Sequence, residues 1–98
     1  TELFVREYFK DIPILADVAL CESTFRHFDR NGNVLRGETN KGDIGVMQIN
    51  ECYHLKRAEK LQHDIYTITG NLAYARHLYG TEGMAPWSSS GVCWRKLR

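Results

Sequence analysis

The sequence predicts a mostly helical α+β domain carrying a small antiparallel β flap. Apolar residues recur at helical spacing over Leu15, Val18 and Ala19, and again over Ile68, Leu72, Ala75 and Tyr79. Between those stretches the texture turns polar. Asp29-Arg30-Asn31-Gly32-Asn33 and Thr39-Asn40-Lys41-Gly42 are turn clusters, and Asn-Gly is a strong hairpin signal. With 98 residues the chain can bury one modest core, so residues 1–98 read as a single domain.

Residues 2–10 read as a short amphipathic helix with Leu3, Phe4, Tyr8 and Phe9 inward. Asp11 is placed to cap the next helix, with Pro13 in its first turn, where a missing N–H costs nothing. That helix runs to about Ser23, and Phe25 and Phe28 are expected to pack beneath its end. Asn33 to Glu38 can form a strand, and Asp43 begins a second extended segment into Gly45. Helical texture resumes from Glu51 to Gln62, with Leu55, Ala58 and Leu61 inward. The stripe from Ile68 to Tyr79, widened by Leu78, predicts a further helix with Gly80 at its C′ position. Gly83 to Trp87 reads as a loop, and Ser88 to Trp94 as a final short helix. The expected core contains Leu15, Val18, Leu72, Ala75 and Trp87.

Composition excludes several classes. There is no run of about 18 apolar residues, so no membrane span is expected. A formal net charge of +1 gives no basic stripe for nucleic acid, and the basic tail Arg95, Lys96, Arg98 reads as solvated. Cys21, Cys52 and Cys93 and the four histidines lack the spacing of a metal site, so neither a metal nor another cofactor is expected. Cys21 reads as a small core residue. Cys52 and Cys93 can pair, although connectivity cannot be read from sequence.

The chemistry centres on Glu22. Run backwards from it at helical spacing and the chain presents Ala19, Val18 and Leu15, all apolar and on one face. A carboxyl on an apolar stripe loses water, and its neutral form gains. Such an acid can give a proton to a leaving group near neutral pH. A second carboxylate, Asp43, stands in the polar stretch after Lys41 and Gly42. Glu38 is its rival: on one continuous strand it would face away from Asp43, unless a turn intervenes.

Glu22-Ser23, Gly45-Val46-Met47-Gln48 and Gly70-Asn71-Leu72-Ala73 resemble the bacterial lytic transglycosylase (SLT) domain. Asp43-Ile44-Gly45-Val46-Met47-Gln48-Ile49-Asn50 and Gly83-Met84-Ala85-Pro86-Trp87 resemble c-type lysozymes. The resemblance to this lysozyme-like superfamily covers roughly residues 15–94. It implies cleavage of the β-1,4 bond between N-acetylmuramic acid and N-acetylglucosamine in peptidoglycan. It implies Glu22 as general acid and Asp43 as the carboxylate that stabilises or attacks the anomeric carbon. Gln48 and Asn50 would bind sugar substituents and order the flap, Tyr53 would stack on a sugar, Trp87 would pack on the acid, and Ser23 would support it. It further implies a monomer acting outside the cytosol, extracellular or periplasmic, with any signal removed or outside this chain. The sequence departs from both groups. Trp87-Ser88-Ser89-Ser90 stands where transglycosylases carry Ala-Tyr-Asn, and three cysteines cannot reproduce the c-type disulfide set. Hydrolysis, formation of 1,6-anhydro ends by a transglycosylase, and non-catalytic peptidoglycan binding therefore stand as the three expectations.

Overall fold

The computed structural model describes residues 1–98. Five α-helices follow in order: α1 (Glu2–Tyr8), α2 (Pro13–Ser23), α3 (Glu51–Lys60), α4 (Ile68–Glu82) and α5 (Gly91–Arg95). A 3-10 helix, Ala85–Ser90, leads into α5. Two short strands, β1 (Asp43–Ile44) and β2 (Ile49–Asn50), pair antiparallel with Asp43 opposite Asn50 and Ile44 opposite Ile49. The fold is thus mostly α with one small antiparallel sheet. No helix is long and apolar enough to cross a membrane.

One apolar cluster runs through the molecule. Leu15, Val18, Ala19, Leu72, Ala75 and Trp87 are all buried in it, with Ile44, Val46, Met47 and Ile49 of the flap. The expected core residues are therefore all inside. The radius of gyration, 12.2 Å, is close to the ~13 Å of a folded domain of this length.

Several local expectations are corrected. Around α1 the expected Phe9 is buried and Tyr8 packs half-buried on the core, but their inward companion is Val5, while Leu3 is 83 % exposed and Phe4 faces solvent. Residues four apart share a helix face, and a helix this short docks by one such pair. Asp11 does not cap α2. Ile12 holds that position without a side-chain bond, and Asp11 instead receives both Arg76 guanidinium nitrogens at 2.8 and 3.1 Å. A bidentate charged pair outcompetes a single cap bond. Phe25 is buried under the end of α2, but Phe28 is exposed and stands edge-on to His27. Asn33 to Glu38 forms no strand. Only two isolated bridges occur, Phe28 with Val34 and Arg36 with Ile44, because the segment has too few apolar residues to bury a face.

The third helix stops at Lys60, and α4 continues past Gly80 to Glu82, so Gly83, at φ +62°, ends it instead. The expected loop 83–87 begins the 3-10 helix, and the final helix starts at Gly91. The disulfide joins Cys21 to Cys93, and Cys52 is free and exposed. Packing of α5 on α2 decides this pairing, since it brings the two Cα atoms to 5.9 Å. The tail is also tied down: Arg98 Nε donates to the buried carboxylate of Asp17 at 2.5 Å.

Candidate active site

Glu22 lies in the last turn of α2, where the helical body meets the flap. The chain leaves the helix sharply, since Thr24 and Phe25 both take the left-handed conformation at φ 56° and 60°. Their amides return to the Leu20 and Ala19 carbonyls, which closes the helix end behind the acid. Glu22 itself is half-buried. Removal from water is the largest influence on its carboxyl and raises its pKa above the ordinary glutamate value. A hydrogen bond from Ser90 Oγ to Oε2, at 2.7 Å, pulls the other way, and the charge of Asp43 adds to the rise.

The flap is held to the body through the backbone of Val46 and Met47. All four of their polar groups bind side chains. Val46 N–H donates to His27 Nδ1 at 3.1 Å, and Ser23 Oγ donates to Val46 O at 2.8 Å. Met47 N–H donates to Asn71 Oδ1 at 2.9 Å, and Trp87 Nε1 donates to Met47 O at 3.0 Å. Buried backbone groups must be paired, and here four side chains replace a third strand. The Asn71 amide nitrogen also reaches Ile44 O and Ile65 O, at 2.9 and 2.8 Å. Gly45 stands at φ +72°, and a Cβ there would lie 2.4 Å from the His27 ring. Only glycine lets the clamp close.

His27 uses both ring nitrogens. With Nδ1 accepting from Val46, the proton sits on Nε2 and points to the Tyr66 carbonyl at 2.9 Å. Burial lowers the pKa of this ring, partly offset by the Tyr66 bond. A neutral ring is what the Val46 bond requires, because a protonated Nδ1 has no lone pair to offer.

Asp43 reaches the site from β1. Its Oδ1 accepts from Asn50 Nδ2 at 3.0 Å. Asn50 is also the N-cap of α3, and its Oδ1 accepts from the Cys52 and Tyr53 amides. One asparagine thus orients the carboxylate and starts the helix.

Glu22, Asp43, Gln48 and Ser89 form the meeting point of two hollows that together make a cleft. One limb, of about 360 Å³, runs under the flap past Arg26, Arg36, Glu38 and Asn40. The other, of about 270 Å³, runs past Tyr53, His54, Glu82, Pro86 and Trp87. The lining is rich in hydrogen-bonding groups, as a hydroxylated ligand requires. Glu38 does share a limb with Asp43, because a bend at Glu38 and Thr39 and a turn at Lys41 and Gly42 stand between them in place of a continuous strand. It is exposed and is not among the charges acting on Glu22.

The sequence-predicted residues converge in this region, with different parts to play. Glu22, Asp43, Gln48, Asn50, Tyr53 and Trp87 all line the cleft. Tyr53 is 83 % exposed and free to contact a ligand. Gln48 stands at φ 52° and commits its side-chain NH2 to Gly45 O at 2.9 Å. Ser23 is buried and does not line the cleft: its hydroxyl has the Val46 and Ala19 carbonyls as acceptors within reach and touches no polar atom of Glu22. Trp87 is buried beneath the cleft, and its indole N–H is taken by Met47.

Among the residues whose hydrogen bonds build the site, His27, Asn71 and Ser90 have no role that the sequence suggests. Asn71 left a signal, a polar residue three and four positions from Tyr74 and Ala75 on the inward face of α4. His27 and Ser90 left none, since each acts only through a partner distant in sequence. The chain matches no protein-family model, no curated protein and no solved structure.

Proposed function

We propose that this chain is a muramidase: an enzyme of the lysozyme-like superfamily that cleaves the β-1,4 bond between N-acetylmuramic acid and N-acetylglucosamine in bacterial peptidoglycan. One observation carries the reading. A half-buried glutamate with a raised pKa shares a polar cleft with a second carboxylate held by its own hydrogen bond. Glycoside cleavage needs an acid for the leaving oxygen and negative charge beside an oxocarbenium-like transition state. Glu22 supplies the first and Asp43 the second. Gln48, Asn50 and Tyr53 offer hydrogen bonds and an aromatic face to the sugars, and Trp87 and Ser23 fasten the flap beside the acid. The enzyme works as a monomer outside the cytosol, in the periplasm or the extracellular space, without a cofactor. A peptidoglycan-binding module without chemistry would have no use for the carboxylate pair.

The same geometry supports a second reading, the lytic transglycosylase. Burial ranks first among the causes of the Glu22 shift and Asp43 last. The acid therefore stands without its partner, and the muramic acid hydroxyl can close a 1,6-anhydro ring by itself. Clearing of a cell-wall suspension by the wild type and by Glu22→Gln tests the shared step, with equal clearing by both removing Glu22 from the chemistry. Mass spectrometry of the digest separates the two outcomes. Reducing ends mark hydrolysis, and products lighter by one water mark the transglycosylase.

A further inference from the structure

Ser90 has one hydroxyl proton and two acceptors within reach: Glu22 Oε2 at 2.7 Å and the Trp87 carbonyl oxygen at 3.1 Å. It cannot donate to both. The Trp87 oxygen has a second donor, the Trp94 indole Nε1–H at 3.1 Å, so it stays paired when Ser90 turns away. Ser90 itself is held firmly. It precedes α5, and that helix is bonded through Cys93 to Cys21, the residue before Glu22.

We propose that Ser90 is a positioning residue that serves both charge states of Glu22 by switching its hydroxyl between two acceptors. The inference rests on Glu22 being the general acid. Before reaction the neutral Glu22 carries its proton on Oε1, turned to the substrate, and Ser90 donates to the Trp87 carbonyl, a stronger acceptor than the oxygen of an uncharged carboxyl. The acid proton then passes to the glycosidic oxygen as the C–O bond breaks, and its electron pair stays on the departing oxygen. Glu22 is left as a carboxylate. Ser90 rotates and donates its own proton, which never leaves it, to Oε2. A charge-assisted bond therefore forms only once the carboxylate exists, which is where it lowers the barrier. When Glu22 is reprotonated, the hydroxyl turns back.

Other charged groups around the cleft are Asp43 on β1, Arg26 after α2, Arg36 and Glu38 of the flap, His54 on α3 and Glu82 on α4. Of these only Asp43 acts on the Glu22 carboxyl, and it raises the pKa, whereas Ser90 lowers it. Loss of Ser90 should therefore push the acid higher still.

The test is an NMR titration of the Glu22 side-chain carboxyl in wild type, Ser90→Ala and Ser90→Thr. In Ser90→Ala the midpoint should move up by about one pH unit, the size of one charge-assisted hydrogen bond. Ser90→Thr keeps the hydroxyl and should restore the wild-type midpoint. In the unmodified protein the Trp94 indole N–H resonance should shift with the same midpoint as Glu22, because its carbonyl partner gains and loses the Ser90 donor. An unchanged Glu22 midpoint in folded Ser90→Ala, or a Trp94 indole signal indifferent to Glu22 titration, overturns the switch. Activity supplies a separate arm. With wall fragments as substrate, kcat of Ser90→Ala should fall about tenfold with KM little changed, and the alkaline limb of its pH profile should move up. A wild type without activity would sink the muramidase reading, and the titration would still decide the role of Ser90.

Discussion

Asn50 holds Asp43 by a 3.0 Å hydrogen bond from its amide nitrogen while its amide oxygen caps α3. The two halves of one side chain can be separated by substitution. In Asn50→Asp the cap oxygen remains and the donor to Asp43 is lost, leaving two carboxylates face to face. The cap survives, but repulsion between the two carboxylates should lower the melting temperature at neutral pH and fade on acidification, while wall-cleaving activity drops by about tenfold or more, the loss of one charge-assisted bond. Asn50→Ala loses both, and should also cost about 1 kcal/mol of stability in chemical denaturation. Equal activity in Asn50→Asp and wild type would show that Asp43 needs no such support.

Glu22→Gln should lower activity by about 10²–10⁴-fold, the usual worth of a general acid. It should also make the protein more stable at pH values above the folded pKa of Glu22. The carboxyl is raised in the folded state, so its stabilising effect is complete below the unfolded glutamate pKa and is lost as pH rises through the folded one. Above the folded pKa the wild type carries a half-buried charge that glutamine lacks. The gain in melting temperature should therefore disappear on acidification below the usual glutamate range. For the same reason, activity of the wild type should fall as pH rises through a value above that of an ordinary glutamate.

His27 sets the opposite dependence. Its ring is held neutral by burial and by the Val46 bond, so its folded pKa lies below the unfolded value. The unfolded chain then binds the proton more readily, and stability is lost as pH falls from the ordinary histidine range towards the folded pKa. Denaturant titrations between pH 8 and 5 should show this loss, and His27→Gln should flatten it while lowering stability at pH 8. An imidazole that titrates at its ordinary value in NMR would contradict the clamp.

The Cys21–Cys93 disulfide closes a span of 72 residues and fastens α5, and with it Ser90, beside the acid. Chain-entropy arguments put such a closure at about 4 kcal/mol at most. Reduction, or Cys93→Ser, should lower the melting temperature and reduce activity together. A thiol count that rises from one to three under mild reductant, with neither property changed, would show that α5 stays docked without the bond.

The helices around Glu22 were legible because their signal is local. Leu15, Val18, Ala19 and Leu72, Ala75, Leu78 mark inward faces by spacing alone, and those faces form the core. The same spacing put Glu22 on an apolar stripe; the extended segment at Asp43 is also legible, but its partner is Asn50 of β2 and not the Asn33 to Glu38 segment that the sequence offers. The local rule failed where too few residues voted. Leu3 and Phe4 lost to Val5 in a helix of barely two turns, although Phe9 went inside as its position suggests, and Gly80 did not stop α4, since a lone glycine costs only about 1 kcal/mol in a helix interior.

The tertiary structure alone decided who meets whom. Asp11 pairs with Arg76 instead of capping α2, Cys93 bonds Cys21 instead of Cys52, and Ser90 reaches Glu22. His27, Ser23, Asn71 and Trp87 satisfy the backbone of Val46 and Met47. Each of these contacts joins residues far apart in the chain, and each depends on orientations set by packing of the helices. Periodicity records which face of an element leaves water, because burial acts on residues one by one. Hydrogen bonds, ion pairs and disulfides are directional and short, so their partners exist only once the elements have docked.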